Sequence, residues 1–217
     1  QTAGRGRRGR SFLSEPGGLY LSYLIRPHES AQELLHLTAL AGLCVCNAVS
    51  QVTGMQPAIK WPNDPVLNGK KLCGILTELS MSLETQEPEY VVIGIGINCN
   101  NAREDFPPEL RETAGSLAML TGREVPREAL AAAILRWLDG MYRDLLADDL
   151  DAWRGTYRAA CVNLGREVRV LRPDGRETLA TALDVDRDFG LIVRLADGTE
   201  EILRSGEVSV RGMYGYL

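Results

Sequence analysis

The sequence predicts an α+β fold: a mixed, largely antiparallel sheet flanked by helices, followed by a small all-β domain. Three observations support this. Short apolar runs bounded by Gly, Pro and Asn recur over residues 19–97, helical periodicity fills 109–162, and short strands with tight turns return from residue 166. With 45% hydrophobic and 24% charged residues in 217, the composition is that of a globular chain. We predict two domains, 1–165 and 166–217.

The first half of the chain predicts one strand, one long helix and then two hairpins. The predicted strands span residues 19–26, 58–61, 72–79 and 90–97. Asn68-Gly69, between apolar residues, is typical of a tight hairpin turn. Ser30 with Glu33 forms a capping-box pattern before a helix over about 31–53, and Gly54 ends it.

The predicted long helix carries no charged residue from position 34 to 53. That length also fits a transmembrane span. His36, Asn47 and Gln51 interrupt it, however, and the chain has no second such stretch. We therefore predict a helix buried against the sheet, with His36 as a hydrogen-bonded core residue rather than a ligand.

The second half predicts three helices and then the strands of the small domain. The helices span about 109–120, a stretch beginning near Pro126, and 150–162. The later strands lie at 168–170, 179–185, 190–195 and 202–210, with turns at Pro173-Asp174-Gly175 and Asp197-Gly198. Such spacing indicates a small β-barrel.

Cysteine usage and net charge narrow the functional classes. The five cysteines are Cys44, Cys46, Cys73, Cys99 and Cys161. Their number is odd, their neighbours are apolar and no pair has zinc-ligand spacing, which indicates reduced core residues in a cytoplasmic protein. The net charge of −5 argues against a general nucleic-acid-binding protein.

The most unusual stretch is residues 1–10, which hold four arginines and three glycines and no acid. Arginine suits phosphate and carboxylate oxygens, and glycine lets the backbone approach a ligand closely. Gly4, Gly6 and Gly9 match the dinucleotide-binding pattern but lack its strand-to-helix context. We predict an anion-binding loop; the alternative is a basic arm on nucleic acid, which the net charge disfavours.

Two charged residues flank the predicted hairpin and can meet there. Asp64 precedes it and Lys71 ends it. A lysine could neutralise charge that develops on phosphoryl and carboxylate oxygens, and an aspartate could hold Mg²⁺ or accept a proton from an amine. Gly74, Gly94 and Gly96 lie inside predicted strands, which indicates close approach by another group.

Taken together, these motifs resemble those of biotin protein ligases. The stretch 1–10, Lys60-Trp-Pro-Asn-Asp64, and residues 71–76, 94–98 and 206–212 occur in that family's order and spacing. The resemblance implies a class II synthetase-like catalytic domain and an SH3-like C-terminal domain. It also implies that biotin and MgATP give biotinyl-5′-adenylate, which acylates a lysine of a biotin carboxyl carrier protein. A lipoate-protein ligase of the same superfamily stays the alternative, and a nucleic-acid-binding module is a third hypothesis.

The resemblance further implies a set of site residues. The residues that it implies for biotin binding are Gln1, Arg5, Gly6, Arg7, Lys71, Gly74, Gly94 and Gly96. Those that it implies for binding of ATP or the adenylate are Arg5, Arg7, Arg10, Asn63, Lys71 and Asn98. The catalytic residues are Lys71, Arg7 and Asp64, and Asp64 is also the candidate ligand for Mg²⁺. Phe12 stands where the family often has Trp.

Some features of the family fall outside this sequence. A strand and helix with a Ser-Thr-Asn motif precede the basic loop in family members, so we expect the 217 residues to be part of a longer chain. Whether a DNA-binding winged helix precedes them is left open. The expected partner is the acetyl-CoA carboxylase carrier subunit or a similar biotin-accepting domain, with a possible homodimer. Neither a membrane nor a nucleic acid is expected to bind this portion.

Overall fold

The computed structural model describes residues 4–6, 9, 12–31, 33–204 and 209–212 and confirms the α+β fold. The helices are α1 (Leu37–Thr53), α2 (Leu117–Thr121), α3 (Arg127–Leu146) and α4 (Asp151–Ala160). The strands of the N-terminal part are β1 (Leu19–Ile25), β2 (Ala58–Lys60), β3 (Asp64–Leu67), β4 (Lys70–Lys71), β5 (Cys73–Met81) and β6 (Pro88–Ile97). Those of the C-terminal part are β7 (Glu167–Leu171), β8 (Glu177–Val185), β9 (Leu191–Leu195), β10 (Glu200–Leu203) and β11 (Ser209–Gly212).

The N-terminal strands form two antiparallel sheets, in the orders β1-β6-β5 and β2-β3-β4. The sequence predicted one mixed sheet. Within the described residues, parallel pairing is limited to two isolated bridges, Ile59 with Cys161 and Lys71 with Ala114. The second of these bridges recurs at the candidate site.

The predicted hairpin is confirmed between β3 and β4. Asn68 and Gly69 have φ angles of 49° and 75°, the left-handed pair that a tight hairpin turn requires. The register places Val66 opposite Lys71, so Asp64 and Lys71 lie near the open end of the hairpin. The hairpin turn therefore brings Asp64 and Lys71 close together.

The uncharged helix is a core helix. The Ser30 backbone N–H donates to the Glu33 carboxylate at 2.8 Å, as the capping box predicts, although the first turn, Glu33–His36, is a 3₁₀ helix. The helix α1 then runs to Gly54, whose φ of 79° ends it. By length and composition, Glu33–Thr53 could cross a membrane. However, 61% of its most apolar stretch is buried inside the protein, where the helix packs against α3 and the two sheets.

The predicted helix over 109–120 is wrong for most of its length. The structure has a 3₁₀ turn at Pro108–Leu110 and a short α2 that begins only at Leu117. Between them, Thr113 accepts a hydrogen bond from the Lys71 N–H, and the Gly115 N–H donates to the Lys71 carbonyl. Apolar spacing favoured a helix, but residues 111–113 form turns and Ala114 forms a bridge with Lys71, so part of the backbone hydrogen bonding goes to β4 instead.

The C-terminal part is a five-stranded antiparallel sheet in the order β10-β9-β8-β7-β11. The single strand predicted over 202–210 is two strands at opposite edges of this sheet. The β8–β9 turn reaches back to the N-terminal part. Phe189 at this turn packs against Tyr157 with ring centroids 5.2 Å apart and against His36 at 5.7 Å. The domain boundary at 165/166 stays a prediction.

His36 lies in this contact between the two parts, and its hydrogen bonding is incomplete. Its Nε2 lies 3.4 Å from a carboxylate oxygen of Asp188. Its Nδ1 is buried without a hydrogen-bond partner among the described residues. The prediction of a hydrogen-bonded core histidine therefore holds for one ring nitrogen only.

We predict that acid weakens the fold through His36. Burial lowers the pKa of His36 below 6.5, outweighing the opposite effect of Asp188. Because the unfolded chain then binds more protons than the folded one, the free energy of unfolding should fall as pH drops below about 6.5. Urea unfolding between about pH 7 and 5 measures this slope. His36→Gln should flatten it and the same change at exposed His28 should not; equal slopes in both variants would contradict the prediction.

Candidate functional site

A glycine-lined surface covers one face of the β1-β6-β5 sheet. Gly94 and Gly96 are two residues apart on β6, so they share a face. Gly74 on β5 lies directly opposite Gly96. The predicted glycines thus come together, and the missing side chains leave the sheet backbone open to another group.

Phe12 occupies part of this surface. A Cβ atom at Gly74 would lie 2.6 Å from the Phe12 ring, and one at Gly96 would also lie 2.6 Å from it. The ring contacts Tyr20 edge-on, with centroids 6.4 Å apart. The Phe12 N–H donates to the Gly4 carbonyl at 3.0 Å, so the ends of the predicted anion-binding loop meet here.

The surface over Gly94 is more open. Among the described residues, a Cβ at Gly94 would meet only the Leu76 carbonyl oxygen within 4 Å, at 3.5 Å. Ser22 lies opposite Gly94 on the neighbouring strand β1 and is exposed. This side of the glycine surface therefore has room for a ligand.

Asp64 and Lys71 form an ion pair beside this surface. The Lys71 ammonium donates to the Asp64 carboxylate at 2.5 Å. Their side chains are 32% and 23% exposed, so both remain within reach of a ligand. Lys71 lies three residues before Gly74, which links the charged pair to the glycines. The structure confirms that the two side chains meet, and their roles stay predictions.

Lys60 is a nearby charge that the sequence did not single out as a site residue. It lies opposite Asp64 in the β2–β3 pairing and is only 6% exposed. Burial above all lowers the pKa of Lys60 to about 8; Lys71 and Arg211 act in the same direction and Asp64 opposes them. A lysine inside the short apolar run before Trp61 was the signal in the sequence.

The turn before Asp64 is buried. Asn63 is 4% exposed and its side-chain amide donates to the Ile75 carbonyl at 3.1 Å. Gly42 of α1 packs against the turn, since a Cβ there would lie 3.3 Å from the Asn63 Cα. The described contact of Asn63 therefore joins the turn to β5, and ATP binding by Asn63 stays a prediction.

Asn98 also makes its described contacts within the protein. Its side-chain amide donates to the Gly115 carbonyl at 3.2 Å and to the Lys71 carbonyl at 3.5 Å. Its backbone N–H donates to the Leu72 carbonyl at 2.8 Å. These bonds fix the backbone around Lys71, and contact with adenine stays a prediction.

The remaining predicted site residues lie in the first ten positions. Gln1, Arg7 and Arg10 are outside the described residues, whereas Arg5 is described and exposed, and Gly6 is partly exposed. The described part of the chain holds no group of three or more His, Cys, Asp or Glu that could bind a metal by themselves. Mg²⁺ commonly binds through one or two carboxylates plus substrate phosphates, so Asp64 alone suits an ion delivered with ATP.

Family profiles match both parts of the chain. A profile described as the biotin/lipoate A/B protein ligase family matches residues 1–98. A second, described as the biotin protein ligase C-terminal domain, matches residues 164–211.

Similar proteins carry the names of biotin ligases. The bifunctional ligase/repressor BirA of Bacillus subtilis is 35% identical over 203 residues, or 93% of this chain and 62% of the relative. The biotin–[acetyl-CoA-carboxylase] ligase of Mycobacterium tuberculosis is 31% identical, over 96% of this chain and 75% of the relative. The chain therefore spans less than two thirds of the length of the Bacillus protein.

Solved structures agree with these relatives. The biotin protein ligase from Aquifex aeolicus in complex with biotin and ATP superposes with a TM-score of 0.84 at 29% identity, covering 98% of this chain and 86% of that one. The apo structure of the Aquifex protein gives a TM-score of 0.79 at 28% identity, covering 90% and 83%.

We predict that alanine substitution lowers the stability of the protein at Gly96, which Phe12 covers, but not at Gly94, which is more open. Gly96→Ala should destabilise the protein by about 1–3 kcal/mol, because its Cβ overlaps the Phe12 ring. Gly94→Ala should be near neutral, because among the residues that the structure describes its Cβ meets only the Leu76 carbonyl oxygen, at ordinary contact distance. Urea unfolding measures both, and repeating Gly96→Ala in a Phe12→Ala background should remove most of the loss. An undiminished loss in that background would contradict the seating of Phe12.

Proposed function

Because this chain belongs to the biotin protein ligase family, we propose that it activates biotin with MgATP and transfers it to a lysine of a biotin carboxyl carrier domain. The observation that carries the proposal is the Lys71–Asp64 pair at the edge of the glycine-lined surface. A fixed positive charge beside a surface that admits a flat ligand suits acyl activation on a phosphate.

In the first step, a carboxylate oxygen of biotin attacks the α-phosphorus of ATP, and pyrophosphate leaves. Negative charge builds up on the phosphoryl oxygens as the new bond forms. The Lys71 ammonium, oriented by Asp64 at 2.5 Å, would stabilise that charge. We place biotin over Gly94, because Phe12 already covers Gly74 and Gly96.

In the second step, the amine of the acceptor lysine attacks the acyl carbon of the adenylate, and AMP leaves. The attacking amine must lose a proton. Asp64 has one oxygen in the bond to Lys71 and a side chain that is 23% exposed, so it could accept that proton or hold Mg²⁺ with the phosphates. Both roles for Asp64 are part of the proposal.

Between the steps the adenylate must be kept from water. We assign this to the glycine-arginine loop, in which Gln1, Arg5, Gly6, Arg7 and Arg10 would contact biotin or the phosphates. Support comes from the loop's base, where Phe12 bonds to Gly4 beside the glycine surface. Binding of the anionic groups of the ligand by the arginines would hold the loop over the adenylate.

A lipoate-protein ligase is the second candidate, because the profile that matches residues 1–98 describes both biotin and lipoate ligases. The similar proteins that are named for a substrate are biotin ligases, which favours biotin as the substrate of this chain.

We also propose a cytoplasmic location for the protein. All five cysteines are free and buried, and burial raises the pKa of Cys99 to about 11, as in inert core thiols.

We predict that Lys71→Ala reduces adenylate formation by at least about a hundredfold, because the developing phosphoryl charge loses its fixed counter-charge. Mass spectrometry after incubation with MgATP and either biotin or lipoate measures the product. The wild-type chain should form biotinyl-adenylate. Lipoyl-adenylate alone would favour the second candidate, and near-normal turnover by Lys71→Ala would contradict the role of Lys71.

We predict that Gly94→Ala weakens biotin binding without unfolding the protein. Its methyl group would enter the open side of the glycine surface, where we place biotin. Loss of close contact should raise the Kd for biotin by about tenfold or more. Isothermal titration measures this, with Leu179→Ala on the exposed face of β8 as a control for general damage. Unchanged affinity in Gly94→Ala would place biotin elsewhere.

A further inference from the structure

The short strand that carries Lys71 is held on both sides. On one side β3 pairs with β4, with Val66 opposite Lys71. On the other side lie residues 110–115, which we call the bracing segment. The Lys71 N–H donates to the Thr113 carbonyl at 2.8 Å, and the Gly115 N–H donates to the Lys71 carbonyl at 3.1 Å. The backbone N–H and carbonyl of Lys71 therefore both form hydrogen bonds with the bracing segment.

Lys70 fastens the bracing segment through its side chain. Its ammonium donates to the Glu112 carbonyl at 2.7 Å and to the Arg111 carbonyl at 3.1 Å. The Glu112 carboxylate is farther away, at 3.7 Å, and its side chain is 75% exposed. Hydrogen bonds from a charged donor are strong, whereas an exposed ion pair contributes little, so the two carbonyl bonds dominate.

Close packing of Gly115, at the end of the bracing segment, against Lys70 also supports a clamp. A Cβ at Gly115 would lie 3.1 Å from the Lys70 Cβ and 3.4 Å from its Cγ, so a larger residue there would push the Lys70 stem aside by a few tenths of an ångström. The Asn98 side-chain amide donates to the carbonyls of both Gly115 and Lys71. The stem of Lys70 and the amide of Asn98 thus hold the same short stretch of backbone.

We propose that Lys70 is a positioning residue for the adenylation step, because it clamps the bracing segment that fixes the Lys71 backbone. The proposal rests on the function proposed above, since it gives a purpose to holding Lys71 in place. Lys71 acts at a distance set by its backbone, and a displacement of about 1 Å at a reacting group can lower a rate about a hundredfold. Lys70 itself touches no reacting atom; it acts through Lys71.

The variant that tests the clamp is Lys70→Met, which keeps an unbranched stem and removes the ammonium. Amide exchange of the peptide over 110–116 should become about tenfold faster, since the two carbonyl bonds that hold it are lost. The kcat for biotinyl-adenylate formation should fall about tenfold while the KM for biotin stays unchanged. Lys70→Arg, which keeps a charged donor, should restore both values.

Three further variants separate the clamp from other effects. Glu112→Gln removes the exposed ion pairs of the Glu112 carboxylate with Lys70 and Arg103 and keeps the Glu112 carbonyl. Exposed ion pairs contribute little, so exchange and rate should match the wild type. Lys71→Ala should lose adenylate formation with unchanged exchange, because its backbone bonds remain. Gly115→Ala presses on the Lys70 stem and should reproduce faster exchange if Lys70→Met fails to fold.

Unchanged exchange over 110–116 in a folded Lys70→Met protein would overturn the clamp, as would a failure of Lys70→Arg to restore exchange and rate. A wild-type chain that forms no adenylate would instead overturn the proposed function. The exchange comparison needs no substrate, so it would still show whether Lys70 holds the segment.

Discussion

The buried turn at Trp61–Asp64 joins three parts of the molecule, and the position of Asp64 depends on it. The Trp61 backbone N–H donates to the Asn163 side chain at 2.7 Å, and its indole N–H donates to the Phe189 carbonyl at 2.8 Å. The Tyr157 hydroxyl donates to the Pro62 carbonyl at 2.6 Å. The two bonds of Trp61 are buried and that of Tyr157 is partly buried. An unpaired buried donor or acceptor would cost about 1–3 kcal/mol. The turn is therefore fixed before any ligand binds.

These bonds make the C-terminal sheet part of the support of the site. Phe189 has a φ of 60°, a left-handed conformation that is unusual for a phenylalanine and places its ring between Tyr157 and His36. The Phe189 carbonyl at the same time accepts the hydrogen bond from the Trp61 indole N–H. Movement of the β8–β9 turn would therefore displace the Trp61–Asp64 turn and, with it, Asp64. The two parts recognised by separate family profiles thus act as one support for the ion pair.

Local patterns in the sequence predicted much of this arrangement. Asn68-Gly69 specifies the hairpin turn, and this turn brings Asp64 close to Lys71. Alternation along β6 likewise predicts that Gly94 and Gly96 share a face. The features that escaped prediction are non-local. The stretch 109–120 has apolar residues at helical spacing, yet its backbone pairs with Lys71, about 40 residues away in the sequence, and Lys70 fastens it there. Nor does any local pattern show that Phe12 covers Gly74 and Gly96, or that Lys60 is buried.

Positive side chains gather at the candidate site although the protein as a whole is acidic. The chain carries a net charge of −5, yet Lys60 lies opposite Asp64 in the β2–β3 pairing and Lys71 forms an ion pair with it. Burial is the main cause of the lowered pKa of Lys60, about 8, and Lys71 and Arg211 of the C-terminal sheet act in the same direction. A buried ammonium with so low a pKa is held in an environment that disfavours its charge. In the function proposed above, a phosphate entering beside Lys60 would relieve that cost. The Trp61–Asp64 turn and the hairpin that carries Lys71 position the positive side chains for such an anion.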